Sequence, residues 1–472
     1  MVFSSATFLF LFLPVTLILY FIRLFPSNQA RETAKKNFVL LAMRLVFYAW
    51  GEPFYVLLMA LSIVFNYFIG LDIEYHREKP KKMKCILVFG IAFNLISLGF
   101  FKYSGFVVDS INSFFSLDIQ FTAPGLPVGI SFYTFQILSY IVDVYRGTVA
   151  QKRLVPFAAY VTMFPQLIAG PIVQYGDIEK QLNERYISRE KFAAGIIIFI
   201  KGMGKKVLFA NTVGAFYTQI SELEITSVSA ATAWIGIICY TLQIYFDFSG
   251  YSDMAVGLGK MFGFEFVQNF NFPYKAKSIT DFWRRWHISL SSWFRDYVYI
   301  PLGGNRKGTA RTILNILIVW SLTGMWHGAA WNFIAWGAFY GILLIAEKYL
   351  LKNILDKIPD VLKHIGTLIV VMLGWVFFSS ESLSVAVSLI GSMIGVNSNG
   401  FTDEHSLYYL SSYGFAIVAM ALSSFGFFDS INVIRNKKQK RYVLAVGYGI
   451  VFVLCVAYLI SETYNPFLYF RF

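Results

Sequence analysis

The sequence predicts an all-α, polytopic integral membrane protein, a helical bundle with re-entrant and interfacial pieces in its middle. Three observations predict it. Hydrophobic residues fill 57% of the 472 positions and charged residues only 14%, far from the balance of soluble domains. A hydrocarbon layer of about 30 Å needs roughly 20 apolar residues per helix, and apolar runs recur along the chain, among them 8–21, 54–69 and 442–459. Backbone groups in lipid must be paired internally, which leaves helices, because no ten-residue polar/apolar alternation suggests a barrel.

Taken in order, the opening MVFSSATFLFLFLPVTLILYFI has no basic residue ahead of its apolar run, so it is expected to persist as a first span and not as a cleaved signal. Arg23, Arg31, Lys35 and Lys36 follow it, placing the N-terminus outside and this loop in the cytoplasm. The basic stretch 76–84 is then cytoplasmic too, and 38–74 becomes a hairpin turning outside near Gly51, Glu52 and Pro53. Arg44, within its first arm, must snorkel or find a partner. Segment 108–125 has Asp109 and Asp118 but no Lys or Arg and is placed outside. Lys201, Lys205, Lys206, Asp247 and Asp253 interrupt later runs, so broken, re-entrant or buried helices are expected there. Pro165 and Pro171 in FPQLIAGPI suggest a kinked or re-entrant segment. The acidic stretch 396–406 is placed outside and the basic RNKKQKR at 435–441 inside; a last crossing then delivers the aromatic tail 461–472 to the outside.

The net charge of +13 does not imply nucleic acid, because Lys and Arg cluster in short loops beside apolar runs, as cytoplasmic loops next to a lipid bilayer do. Cys85, Cys239 and Cys455 stand singly without metal or redox spacing.

The chemistry is expected in 269–332, which contains NFNFPYKAKSITDFWRRWHISLSSWFRDYVYIPLGGN and then WHGAAWN. Thr280 or Ser278 is a suitable N-cap with Asp281 in the first turn, for a helix running to about Tyr297. At 3.6 residues per turn, Trp283, Trp286, His287, Leu290, Trp293, Phe294 and Tyr297 share one face, with Arg284, Ser291 and Arg295 opposite. Such an interfacial helix turns His287 toward protein, either as a working group or as part of an aromatic interface belt. His327 lies 16 residues beyond Arg311, roughly 24 Å along a helix, deep enough to need a cavity or a partner. Gly324 and Gly328 beside it allow another segment or a ligand to approach. A neutral imidazole there can take a proton from an attacking hydroxyl; the alternative is a histidine packed between Trp326 and Trp331. No metal is expected, since ligand spacing is absent. Asp247, four residues after Gln243, is a candidate functional carboxylate, or it holds a buried arginine or caps a broken helix.

Together, NFNFPY, SITDFWRRWHISLSSWFRDYVYIPLGG, the downstream WHG and the opening MVFSS...FLFLFLP closely resemble the membrane-bound O-acyltransferase family, in its bacterial alginate O-acetyltransferase branch, over essentially the whole chain taken as one domain. The resemblance implies a helical bundle with a central tunnel, His327 as the essential histidine, and His287 as the second. Arg284, Arg285, Asp296 and Asn305 match surrounding motif positions; together with Trp326 and Asp247 they are expected to contact substrate or to support the histidines. The resemblance also implies acetyl-CoA as donor substrate with no bound cofactor, an exported polysaccharide as final acceptor, and an extracytoplasmic esterase-like (SGNH-type) partner at the bacterial cytoplasmic membrane. FLYFRF at the chain end looks similar to an aromatic motif of related D-alanylation systems, which suggests Tyr469 as an acyl relay; the alternative is an aromatic anchor at the membrane interface. D-alanyl transfer to teichoic acid, or polysaccharide or lipid transport without chemistry, are the alternatives.

Overall fold

The computed structural model describes residues 2–22, 29–163, 170–224, 228–396, 398–427, 437–461 and 468. Among them every regular element is helical, as expected. The chain divides into two compact units, Met1–Phe199 with Tyr251–Val267, and Ile200–Gly250 with Gln268–Phe472.

The first unit contains α1 (Leu13–Phe21), entered through a π turn at Phe8–Phe12, then α2 (Gln29–Ala49), α3 (Tyr55–Tyr75), α4 (Pro80–Phe115), α5 (Ile130–Tyr145), α6 (Leu154–Val161) and α7 (Tyr175–Asn183). The expected hairpin forms between α2 and α3, with Gly51 and Glu52 amides donating to the Tyr48 carbonyl to close the turn. Arg44 is 1% exposed, so it does not snorkel. Asn66 of α3 and Asn94 of α4 exchange amide hydrogen bonds of 3.1 and 2.7 Å. Such polar pairs join helices where lipid removes the hydrophobic driving force.

The second unit takes the end of α8 (Arg189–Gly204), a π turn at Lys205–Ala210, α9 (Asn211–Ser221) and most of α10 (Ala230–Met261). It continues with α11 (Ile279–Arg285), α12 (Ile288–Phe294), α13 (Thr309–His327), α14 (Trp331–Tyr349), α15 (Lys352–Leu355), α16 (Asp360–Ser379), α17 (Leu383–Met393), α18 (Glu404–Ser424) and α19 (Lys437–Ser461). Among the described residues five helices are long and apolar enough to cross a membrane, namely α3, α4, α16, α18 and residues 442–461 of α19, while 8–21 is apolar but shorter.

Of the broken, re-entrant or buried helices expected in the middle, α10 is a largely buried one. α10 runs unbroken through Asp247 and Asp253, and Asp247 neither caps a helix nor holds an arginine. It pairs with Lys206 at 2.8 Å, both side chains 3% exposed, and Lys206 also donates to Asn211 Oδ1 at 2.9 Å. Gly250 makes this approach feasible, since a Cβ there would lie 2.7 Å from the Gly202 carbonyl and 2.9 Å from the Lys206 amide. The remaining carboxylate oxygen accepts the Leu468 amide at 2.9 Å. Residues 164–169 of FPQLIAGPI lie outside the described residues.

α18 begins with a capping box: Asp403 accepts from the Ser406 amide while Ser406 Oγ accepts from the Asp403 amide. Asp403 also accepts from the Ser229 amide (2.8 Å) and Thr232 Oγ1 (2.5 Å), fastening α18 to the start of α10. Partial burial pushes its carboxyl up, but these donors outweigh burial and hold it well below the usual carboxylate range. A depressed folded-state pKa contributes stability that is present above the unfolded value and lost as pH falls through the folded one. Asp403→Ala is therefore expected to cost about 0.5–2 kcal/mol, seen as a lower melting temperature at pH 7. That difference should shrink as the wild type is titrated below about pH 4.

Candidate active site

The expected continuous helix over 280–297 does not form. Ser278 is its N-cap, accepting from the Asp281 amide, but α11 stops at Arg285. Trp286 is extended, and His287 adopts a left-handed conformation (φ 44°, ψ 53°) before α12 starts. A bulky residue pays about 1–3 kcal/mol for that backbone, and the compensation comes from Asn269. Its carbonyl accepts the Ile288 amide at 3.0 Å, and its Oδ1 accepts the Ser289 amide (3.1 Å) and Ser289 Oγ (2.9 Å). The same Oδ1 faces His287 Nδ1 at 3.2 Å. Because two donors already identify that atom as oxygen, Nδ1 carries the proton and Nε2 is the basic nitrogen of the neutral ring. His287 is fully buried, its ring edge-on to Phe248 at 4.6 Å.

Despite the break, the predicted division of faces holds in part, since Tyr297 and Ser291, predicted on opposite faces, are both half-buried. Trp283, Trp286, His287, Leu290, Trp293 and Phe294 are buried, whereas Arg284 and Arg295 are exposed.

His327 is the last residue of α13, an unbroken helix from Thr309 as the depth argument requires. It is 4% exposed and walled by Trp326 and Trp336 (ring centroids 4.9 Å each) and Phe378 (5.2 Å). The expected neighbour Trp331 is instead 60% exposed. Trp326 joins the two histidines, lying 6.0 Å from the His287 ring. The flanking glycines admit another part of the chain: a Cβ on Gly324 would sit 2.5 Å from the Phe333 carbonyl, one on Gly328 2.2 Å from the Phe333 ring, and one on Gly337 2.4 Å from the Trp320 carbonyl. α13 and α14 thus touch backbone to backbone. Gly324→Ala is expected to cost about 1–3 kcal/mol by overpacking, lowering the detergent melting temperature and pushing Trp336 away from His327.

Beside this pair lies a cavity of about 780 Å³. Buried Trp283, Leu290 and Phe294 line it, with Trp320 and Thr323 of α13, one turn before His327. Six basic residues (Lys277, Arg284, Arg295, Lys348, Lys352 and Lys363) face it against three acidic ones, Glu347, Asp356 and Asp360. Glu347 is already committed to the Ile279 and Thr280 amides at the start of α11. Lys277 and Lys363 are in turn paired with Asp360, and Arg295 with Asp296, so the cationic excess above the apolar floor rests on Arg284, Lys348 and Lys352.

The other expected site residues separate. Arg284 lines the cavity. Arg285 is an ion-pair partner of Asp281 (2.9 Å), Asp296 pairs with Arg295 (2.7 Å), and Asn305 is exposed in the turn after a π helix at Arg295–Tyr299. Asp247 serves the Lys206 pair, and Tyr469 lies outside the described residues. Asn269, Ser289 and Trp336 were not anticipated; NFNFPY pointed at the first only as a motif.

Residues 152–390 match the model of the membrane-bound O-acyltransferase family. The chain is 46% identical to a probable alginate O-acetylase of Pseudomonas aeruginosa over 83% of this chain and 75% of that one. It is 32% identical to a peptidoglycan O-acetyltransferase of Helicobacter pylori over 100% and 98%. A teichoic acid D-alanyltransferase of Bacillus subtilis is 28% identical over 48% and 60%. With a family match across half its length and relatives aligned along most of it, the chain belongs to the membrane-bound O-acyltransferases.

Proposed function

We propose that the protein transfers acetyl from cytoplasmic acetyl-CoA to hydroxyl groups of an exported polysaccharide, with His327 as general base and His287 as its supporting partner. The observation that carries this is a deeply buried imidazole one helical turn past the wall of a cavity with basic side chains. The cationic lining suits the coenzyme's phosphates, and the apolar floor suits the acyl end. Taking the polyanionic coenzyme itself across the membrane would be very costly, so only the acyl group passes inward along a tunnel. The relatives' names specify alginate and peptidoglycan, which supports an extracytoplasmic polymer. An SGNH-type partner outside the membrane completes the transfer, with the protein in the cytoplasmic membrane and both termini outside. Tyr469 is the proposed relay to that partner, an idea that fails if Tyr469→Phe leaves polymer acetylation unchanged at equal abundance.

Membranes given acetyl-CoA labelled in the acetyl group should place label on the polymer only when this protein is present; no label transfer would refute the function. Reversing two charges at the cavity, Arg284→Glu with Lys348→Glu, is expected to raise KM for acetyl-CoA about tenfold or more, since each tenfold needs only about 1.4 kcal/mol. Added salt should weaken the difference, and kcat should change little.

A further inference from the structure

Trp336 of α14 packs against both His327 and two tryptophans that line the cavity. Its ring is 0% exposed. It meets the cavity tryptophans Trp283 (5.6 Å) and Trp320 (6.1 Å), and also His327 (4.9 Å) and Phe378 (5.4 Å). The backbone behind it cannot recede, because the neighbouring Gly337 is pressed against the Trp320 carbonyl. The indole N–H has no hydrogen-bond acceptor among the described residues. A buried donor without a partner destabilises a fold, and phenylalanine would fill much of the same space without that cost. Packing alone does not account for an indole here.

We propose that Trp336 sets the length of the acyl group, leaving room at His327 for a two-carbon acyl group and none for a longer chain. This rests on the cavity being the thioester-donor site. In the step concerned, the acceptor hydroxyl oxygen bonds to the acyl carbon while His327 takes the hydroxyl proton. The carbon–sulfur bond breaks, and the departing thiolate becomes the free thiol on taking up a proton. A chain longer than acetyl must extend beyond the acyl carbon into the volume the indole occupies. Trp336 is accordingly a specificity-determining residue.

The experiment uses membranes containing the full-length protein, its polymer and its transfer partner, supplied with acetyl-, butyryl- or hexanoyl-CoA, and measures free thiol release and acyl groups on the polymer. Wild type should strongly prefer acetyl. Trp336→Leu should raise the butyryl-to-acetyl ratio of kcat/KM at least about tenfold, in line with the 10–200-fold discrimination that one methylene commands in a pocket, with Trp336→Phe intermediate. An unchanged ratio in the folded variants, with all rates falling together, would mean a purely structural tryptophan and would overturn the proposal. Trp336→Phe keeps the test available if leucine prevents folding. Failure of wild type to use acetyl-CoA at all would overturn the donor assignment, and the length filter with it.

Discussion

Replacing His327 with alanine is expected to lower polymer acetylation by about 10²–10⁴-fold, the usual contribution of a positioned general base, with protein abundance in the membrane preserved. The ring ends α13 and is held by three aromatic walls, so its loss leaves the helix backbone intact. Label transferred from acetyl-CoA to polymer is the measurement; a protein that only transports polymer or lipid would keep its function. His287 should behave differently. His287→Ala removes an imidazole and leaves a left-handed backbone that alanine tolerates poorly, whereas asparagine accepts that conformation more readily. His287→Asn should therefore restore abundance without restoring rate.

Lys206→Met should cost about 3–5 kcal/mol, the penalty for stranding one partner of a buried ion pair, and should lower the melting temperature in detergent more than any other single change considered above. The double substitution Lys206→Met with Asp247→Leu should recover most of that loss, because replacing a whole buried pair with apolar groups is often neutral or stabilising. Equal destabilisation by the single and double variants would show that the pair does not act as a unit. The amide of Leu468 complicates the double variant in a useful way: Asp247 is also its acceptor. Any deficit remaining in the double variant therefore includes the cost of that released amide.

Much of this was legible in the chain itself. The α2–α3 hairpin, the Ser278 cap, the burial of the tryptophan face and the unbroken helix up to His327 follow from local chemistry: turn residues, a serine before an aspartate and 3.6-residue periodicity. What escaped was set by partners far along the chain. Nothing near His287 announces a helix break; Asn269 imposes it from another segment by taking three donors that a continuous helix would have arranged otherwise. Asp247, read as an arginine partner or a cap, pairs instead with Lys206, which lies in the π turn Lys205–Ala210 and is brought close at Gly250. Trp336 is one of two tryptophans in the apolar helix α14, and its position on His327 depends on how tightly α13 and α14 cross.

Trp336 also bears on electrical balance. When an acyl group leaves a thioester inside and joins a hydroxyl outside, one proton is released at the acceptor and one is consumed at the thiolate. If His327 returns its proton through the same passage, acyl and proton exchange with no net charge displaced. If the proton is lost outside, each turnover moves a full charge against the membrane field, worth about 2.3 kcal/mol per 100 mV. With the cavity as the proposed donor site, the contact of one indole with both the imidazole and the cavity tryptophans favours the first course. Turnover in sealed vesicles should then proceed at one rate whether the membrane potential is imposed or collapsed.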